Sequence, residues 1–328
     1  MTNNQIKIKF IEDCPEVELT LWALKDELSK DAAFVFVKTV EEADLVVASR
    51  HYFIQDELDK IQGKKLIWIS YGSSLKSPTV LPLSKTLDAH SYDASSKLWA
   101  LFAPSPVYKN VLEEYGIDTN NVRFLGYPKM DLINYNYDVT KENSGLSIHN
   151  KTILYTPTIG WKTSKDNSSF FDYINFLVYL SLEYKFNLLV RPHPYLLNQF
   201  PEIEIILDNI SKLDNVKVDY GYNYYITFKL ADFIISDISS LAYEFLSTTK
   251  PVVLTTTNPQ KSKVFDYYID YGIMYEAKNK QELQNQIQLL LADCDNLKDR
   301  RETFCSKLPK NASKLIKNYI KENFVKCE

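Results

Sequence analysis

Glycine is scarce in this chain: 8 residues in 328, against 13 prolines. That count argues against a glycine-rich phosphate loop. Neither GxGxxG nor GxxxxGK followed by Ser or Thr occurs, which removes the usual dinucleotide and P-loop signatures. The four cysteines (Cys14, Cys294, Cys305 and Cys327) show no CxxC spacing, so neither a zinc knuckle nor a disulfide framework is indicated. Charge of one sign is also missing. A net charge of -4 makes no electrostatic case for nucleic acid. No apolar run approaches the ~18 residues of a membrane span. The N-terminus, Met1-Thr2-Asn3-Asn4-Gln5, has neither a basic segment nor an apolar leader. These absences together describe a reduced, cytoplasmic protein.

What is present is ordinary globular composition, 45% hydrophobic and 24% charged. The length predicts two domains of roughly 150 residues each. Short apolar runs alternate with helical spacing through the first half. Ile6–Ile11, Phe34–Val37, Leu45–Ala48, Leu66–Ile69, Leu98–Ala103 and Val122–Leu125 read as strands. Leu19–Leu28, Gln55–Ile61 and Val107–Tyr115 read as helices. Continuous apolar runs such as Leu45-Val46-Val47-Ala48 are expected of parallel strands covered on both faces. The pattern fails in polar Asn134–Asn150, the expected linker, and then restarts. Thr152–Tyr155, Asn187–Val190, Val216–Val218, Phe233–Ile235 and Val252–Thr255 are the strands of a second half. Phe170–Tyr184 and Gln281–Asp293 are its helices, and Arg300–Asn323 is a Lys-rich helical tail. The expectation is α/β: two Rossmann-like parallel-sheet domains facing a cleft, at 1–140 and 151–300. A helical tail over 301–328 returns to the first domain.

Parallel α/β domains bind ligands at the carboxyl ends of their strands. The first half places Asp13, His51, Tyr71, Ser73 and Ser74 there. The second half places Thr156, Thr158, Arg191, His193, Asp237, Ser239 and Ser240 there. Two stretches stand out. Ser236–Ser240 follows an apolar strand and opens a helix that Pro251 bars from continuing. A helix start offers backbone N–H groups to an anion. Arg191-Pro192-His193-Pro194 sets a planar guanidinium fork and an imidazole on a stiff loop. On one sheet edge, the two stretches make a diphosphate site that needs no metal and no cofactor. Each group also has a structural reading: Asp237 as a helix cap, His193 as a satisfied turn residue, Asp13 as a cap and His51 as a surface loop histidine.

Leu189-Val190-Arg191-Pro192-His193-Pro194 followed later by Ala231–Ser240 resembles the CDP-glycerol glycerophosphotransferase family, which builds teichoic acid and related polymers on a GT-B fold. Gly126-Tyr127-Pro128-Lys129-Met130-Asp131 matches that family's Gly-x-Pro-Arg-x-Asp, with Lys for Arg. Ile153–Thr158 resembles its opening donor-domain strand, and Asn311–Ile316 its closing helix. The likeness runs mainly over 98–328. It implies that Arg191 and His193 meet the donor diphosphate, that Asp237, Ser239 and Ser240 cap it, and that Glu244 holds the ribose. It implies a CDP- or CMP-type activated donor and a glycan or lipid-linked acceptor. One departure is plain. The family's Trp-His-Gly-x-x-Leu-Lys, whose His is the proposed base, is here Ser70-Tyr71-Gly72-Ser73-Ser74-Leu75-Lys76. Tyrosine is a poor base near neutral pH, so Asp13 and His51 stand as the catalytic candidates beside His193, with Tyr71, Ser73 and Ser74 on the acceptor side.

Three alternatives stay open at this point. Capsule transferases using a CMP-activated acidic sugar also join a His-Pro strand end to a Ser-rich helix start, and can use an acidic base. A UDP-sugar 2-epimerase shares the fold. A catalytically inactive nucleotide-sugar-binding partner would explain Tyr71. Lys307, Lys310, Lys314, Lys317, Lys321 and Lys326 suggest either peripheral contact with the inner face of the membrane or a solvated helix face.

Overall fold

The computed structural model describes residues 5–12, 15–49, 59–61, 63–70, 98–114, 118–158, 168–255 and 263–324. The chain divides into two compact units, Met1–Asn134 with Leu308–Glu328, and Tyr135–Lys307.

Unit 1 is built on a six-stranded sheet. Its strands are β1 (Ile6–Phe10), β2 (Phe34–Phe36), β3 (Leu45–Ala48), β4 (Lys65–Ile69), β5 (Leu98–Phe102) and β6 (Val122–Arg123), in the order β2-β1-β3-β4-β5-β6. Every pairing is parallel. The runs Leu45–Ala48 and Leu66–Ile69 are buried at every position, as residues of central strands covered on both faces must be. Edge strand β2 loses that burial after its first residue. Helix α1 (Pro15–Ser29) lays Leu21, Leu24 and Leu28 into the core with Ile8, Val47 and Ile67. Helix α2 (Val107–Glu114) buries Val107, Tyr108, Val111 and Leu112.

Unit 2 repeats the architecture with a different winding. Its strands are β7 (Thr152–Thr156), β8 (Asn187–Val190), β9 (Val216–Val218), β10 (Phe233–Ser236), β11 (Val252–Thr255) and β12 (Tyr275–Ala277), all parallel, in the order β12-β11-β10-β7-β8-β9. Its helices are α3 (Phe170–Glu183), α4 (Pro194–Gln199), α5 (Glu202–Ile210), α6 (Tyr225–Leu230), α7 (Leu241–Glu244), α8 (Lys263–Asp270), α9 (Lys280–Leu291) and α10 (Lys298–Ser306). The expected linker stretch is anchored on this unit. Lys141 Nζ bonds the Asp232 carboxylate at 2.8 Å, and the Asn187 side chain donates to the Ser147 carbonyl at 2.8 Å.

The tail differs from the single helical stretch that the sequence suggests. It is two helices, α10 and α11 (Ala312–Asn323), parted around Pro309 and Asn311, the latter at φ 60°. Arg301 holds α10 in unit 2. Its buried guanidinium pairs with Asp295 and donates from Nε to the Thr249 carbonyl at 2.9 Å.

Helix α11 returns to unit 1, where Ile316 and Ile320 join the core. Its first N–H groups are capped from far along the chain. Asp131 accepts from the Ala312 N–H at 2.9 Å and the Ser313 N–H at 2.8 Å. Gly126, at φ +90°, lets this helix in, because a Cβ there would sit 2.9 Å from that of Ala312. Lys317 pairs with Glu27, and Lys321 with Asp31 at 2.8 Å. These two lysines of the run therefore face α1 and the turn after it. Among the described residues no helix is long and apolar enough to cross a membrane.

Candidate functional site

In unit 2, β7 has β8 and β9 on one side and β10, β11 and β12 on the other. Numbered along the unit, that is the doubly wound order 3-2-1-4-5-6, whose direction reverses between β7 and β10. In such sheets ligands bind outside the carboxyl ends at the reversal. Thr156 and Ser236 end these two strands and are locked together. The Thr156 hydroxyl donates to Ser236 Oγ at 2.8 Å, and the Ser236 hydroxyl to the Thr156 carbonyl at 3.0 Å.

Asp237 comes next, 5% exposed. Its Oδ1 accepts from the Thr158 N–H at 2.9 Å. Its Oδ2 accepts from the same N–H at 3.0 Å and from the N–H and hydroxyl of Ser169, each at 2.9 Å. Ser169 immediately precedes α3. So Asp237 is a cap, but of α3 rather than of its own helix. It also ties Thr158, two residues past β7, to the start of α3. Tyr155 completes the cluster through its hydroxyl on Ser169 Oγ at 2.9 Å; burial, and then the Asp237 charge, push its hydroxyl well above the usual phenol range.

The helix that Ser239 and Ser240 open is shorter than the sequence implies. Helix α7 covers Leu241–Glu244 and tightens into a 3-10 turn over Phe245–Thr248. A single α-turn carries only its own few peptide dipoles, so the half-charge of a long helix start does not apply. Ser239 Oγ accepts from the Leu241 N–H at 3.4 Å, while Ser240 makes no side-chain cap bond.

Across β7, Arg191 and His193 follow β8. Arg191 is held rigid by its own unit. Nη1 pairs with the Asp219 carboxylate, Nη2 donates to the Gly221 carbonyl at 2.5 Å, and the guanidinium lies 5.2 Å from the centre of the Tyr224 ring. A fork with five N–H donors keeps others for an anion. His193 sits at the N-cap of α4, where Nδ1 accepts the Tyr195 N–H at 3.2 Å and the ring stacks on Tyr195. That bond fixes the neutral tautomer with its proton on Nε2, making this nitrogen a donor.

Glu244 is fully buried. Both the Tyr224 and Tyr225 hydroxyls donate to its Oε2, the second at 3.0 Å, and the two rings stack 5.0 Å apart. The carboxylate that the family resemblance gives to a ribose is therefore held among tyrosines, one of which also bears on Arg191. The sequence reading missed Asp219, Gly221, Tyr224, Tyr225 and Ser169. Asp219 alone carried a signal, an acidic residue directly after a strand.

The first-half candidates Asp13, His51, Tyr71, Ser73 and Ser74 lie outside the described residues. Unit 1 reverses direction between β1 and β3, the strands that Asp13 and His51 follow in sequence. Among the described residues no group of three or more His, Cys, Asp or Glu is placed to hold a metal ion.

The family model described as CDP-Glycerol:Poly(glycerophosphate) glycerophosphotransferase matches residues 5–322. No curated protein matches the chain. Among solved structures, the wall teichoic acid polymerase TagF superposes with a TM-score of 0.66 at 14% identity, covering 98% of this chain and 90% of TagF. MnaA of S. aureus, solved with UDP, superposes with a TM-score of 0.67 at 15% identity over 97% of this chain and 96% of its own. A UDP-N-acetylglucosamine 2-epimerase gives 0.65 at 12% identity over 97% and 96%. These likenesses establish a GT-B-like fold.

Proposed function

Because the chain belongs to the CDP-glycerol:poly(glycerophosphate) glycerophosphotransferase family, and is thereby a transferase, we propose that it moves a glycerol-phosphate unit from a CDP-activated donor to a hydroxyl of a bacterial surface glycopolymer. The observation that carries this reading is the pairing on one sheet edge of a rigid Arg191 and an Nε2-protonated His193 with the Ser239–Ser240 turn across β7. A TagF crystal soaked with CDPG supports a donor of that type.

In this mechanism the acceptor oxygen attacks the distal phosphorus of the donor. The bond to the proximal phosphate breaks, and CMP leaves. Arg191 and the His193 Nε2–H bind phosphate oxygens and offset the charge that grows on the leaving group, a kind of stabilisation that typically contributes several kcal/mol. Ser239 and Ser240 donate from the opposite side. Asp237 touches no phosphate; it positions Thr158 against α3. Glu244 acts through Tyr224, which keeps Arg191 in place. Asp13 and His51 stand as the candidates for the base that takes the acceptor proton. The charge needed is supplied by side chains, and the activated donor is a substrate rather than a cofactor.

Tyr71, in place of the family histidine, favours a second reading. There the donor is a CMP-activated acidic sugar, and the acceptor attacks its anomeric carbon. Calorimetric titration with CDP, CMP and UDP, then transfer assays with both donor types, tests the two. The expected result is that CDP binds, that CMP is released only when acceptor is added, and that His193→Ala cuts turnover at least a hundredfold while costing no more than the roughly 0.5–2 kcal/mol of a lost helix cap. Full turnover in His193→Ala would refute the assignment. CDP binding without turnover on any acceptor would instead indicate a binding partner.

A further inference from the structure

At the carboxyl edge of the first sheet, two buried polar atoms have no hydrogen-bond partner among the described residues. Strand β1 pairs with β3 from Ile8↔Leu45 to Phe10↔Val47, and the Ile11 N–H still reaches the Val47 carbonyl at 2.9 Å. Continued two residues past the last pair, that register sets Glu12 opposite Ser49 just beyond the ends of the two strands. Ser49 is fully buried, and its hydroxyl has no hydrogen-bond partner among the described residues. Glu12 is fixed through Oε2, which Lys25 Nζ reaches at 2.6 Å, while its other oxygen, Oε1, is buried and unpartnered. Both residues lie where the strand order reverses, the position at which parallel sheets take ligands. Buried polar atoms without partners weaken a fold, and they persist where a ligand uses them.

We propose that Glu12 and Ser49 form a subsite of unit 1 that binds neighbouring hydroxyls of a polyol or sugar. In calling that ligand the acceptor, the proposal rests on the transferase reading above. The chemistry selects hydroxyls over phosphate. Glu12 Oε1 can only accept a hydrogen bond, and a carboxylate repels an anion even when its other oxygen is paired to Lys25. The Ser49 hydroxyl both donates and accepts. Adjacent strands lie about 4.8 Å apart, which places the two residues close enough to serve one polyhydroxylated molecule. Lys25 keeps the carboxylate in a single orientation, and its ammonium is itself steadied over the Phe10 ring at 5.8 Å. The subsite positions the acceptor; it is separate from the base that takes the proton.

The test uses the full chain with Ser49→Ala and Glu12→Gln. Saturation-transfer NMR is run with glycerol, N-acetylglucosamine and inorganic phosphate as probes, beside thermal unfolding and CDP calorimetry. The expected result is that a hydroxyl probe binds the wild type, inorganic phosphate does not compete with it, and each variant weakens the probe at least tenfold. Ser49→Ala should leave the melting temperature unchanged or raise it, because it removes an unpartnered hydroxyl. CDP affinity should be the same in all three proteins. Unchanged probe binding in both variants overturns the proposal. So does a fall of several degrees in Ser49→Ala, which would mean that the hydroxyl holds the fold. Loss of CDP binding in the wild type alone would strike the donor reading and leave the subsite standing.

Discussion

Replacing Asp237 by Asn separates two roles that the same position could play. If the carboxylate touched a donor phosphate, the contact would be repulsive, and removing the charge would tighten CDP binding. If it positions the loop, binding must weaken. The structure also fixes the cost to stability. Oδ2 serves three donors, the N–H groups of Thr158 and Ser169 and the Ser169 hydroxyl, whereas Oδ1 serves only the Thr158 N–H. The Asn amide nitrogen therefore takes the Oδ1 place, where it faces an N–H donor with another donor. The remaining bonds lose their charge assistance. A bond to a charged group contributes about 1.5–3 kcal/mol, and here one is half lost and three are weakened, so about 2 kcal/mol is expected. For a unit of this size that is a fall of roughly 4–8 °C in the melting of unit 2. Asp237→Ala strands both backbone N–H groups at a site 5% exposed, and should cost about 3–5 kcal/mol. Differential scanning calorimetry reads the melting, and titration calorimetry with CDP reads the binding. An Asn variant that melts with the wild type and binds CDP more tightly would refute the reasoning.

Three further outcomes follow from contacts away from the site. Arg301→Ala empties a buried site and leaves the half-buried Asp295 carboxylate to the Tyr275 hydroxyl and the Leu297 N–H, and should destabilise unit 2 by about 1.5–3 kcal/mol in denaturant unfolding. Burial pushes the Asp295 carboxyl up, but the Arg301 bond and charge bring it below the usual carboxylate range. Its share of stability is thus present above about pH 4 and is lost as the pH falls through the lowered value. Arg301→Met should flatten that acid limb of the stability curve. Gly126→Ala forces a Cβ to 2.9 Å from Ala312 at φ +90°, which should cost about 1–3 kcal/mol. Hydrogen exchange should show α11 losing protection before the rest of unit 1.

The strands were legible because parallel strands covered on both faces are continuous apolar runs. Leu45–Ala48, Asn187–Val190 and Val252–Thr255 match their observed bounds. Strand β12 escaped because an edge strand of three residues, Tyr275-Glu276-Ala277, carries a charge and no such run. Helix α4 escaped because it starts inside Arg191-Pro192-His193-Pro194, a motif that reads equally well as a rigid loop; Pro at the first helical position is what permits the helix. The site divides in the same way. That Arg191, His193, Ser239 and Ser240 share one edge follows from strand ends, and was readable. That Arg191 is held by Asp219 and Tyr224, and that Asp237 serves α3, depends on contacts between segments far apart in sequence, which spacing does not encode.

The motifs that mark the family are of two physical kinds, and only one kind bears on chemistry. Gly126–Asp131 resembles the family as clearly as Arg191–Pro194 does, yet its work is architectural. Gly126 makes room for α11, Asp131 caps it, and Lys129 is buried in the place of the family's Arg. A match there says that the C-terminal helix closes on unit 1 and nothing about what is transferred. Arg191 and His193 follow β8 and Ser239 and Ser240 follow β10, on either side of β7 at one sheet edge, so on the proposed reading the information about the donor lies in them. Tyr71 departs from the family in the first half. On the proposed reading, what distinguishes this transferase from its relatives is therefore sought in unit 1, which carries Tyr71 in sequence and the proposed Glu12–Ser49 subsite, and acceptor probes rather than donor analogues are the measurements that test it.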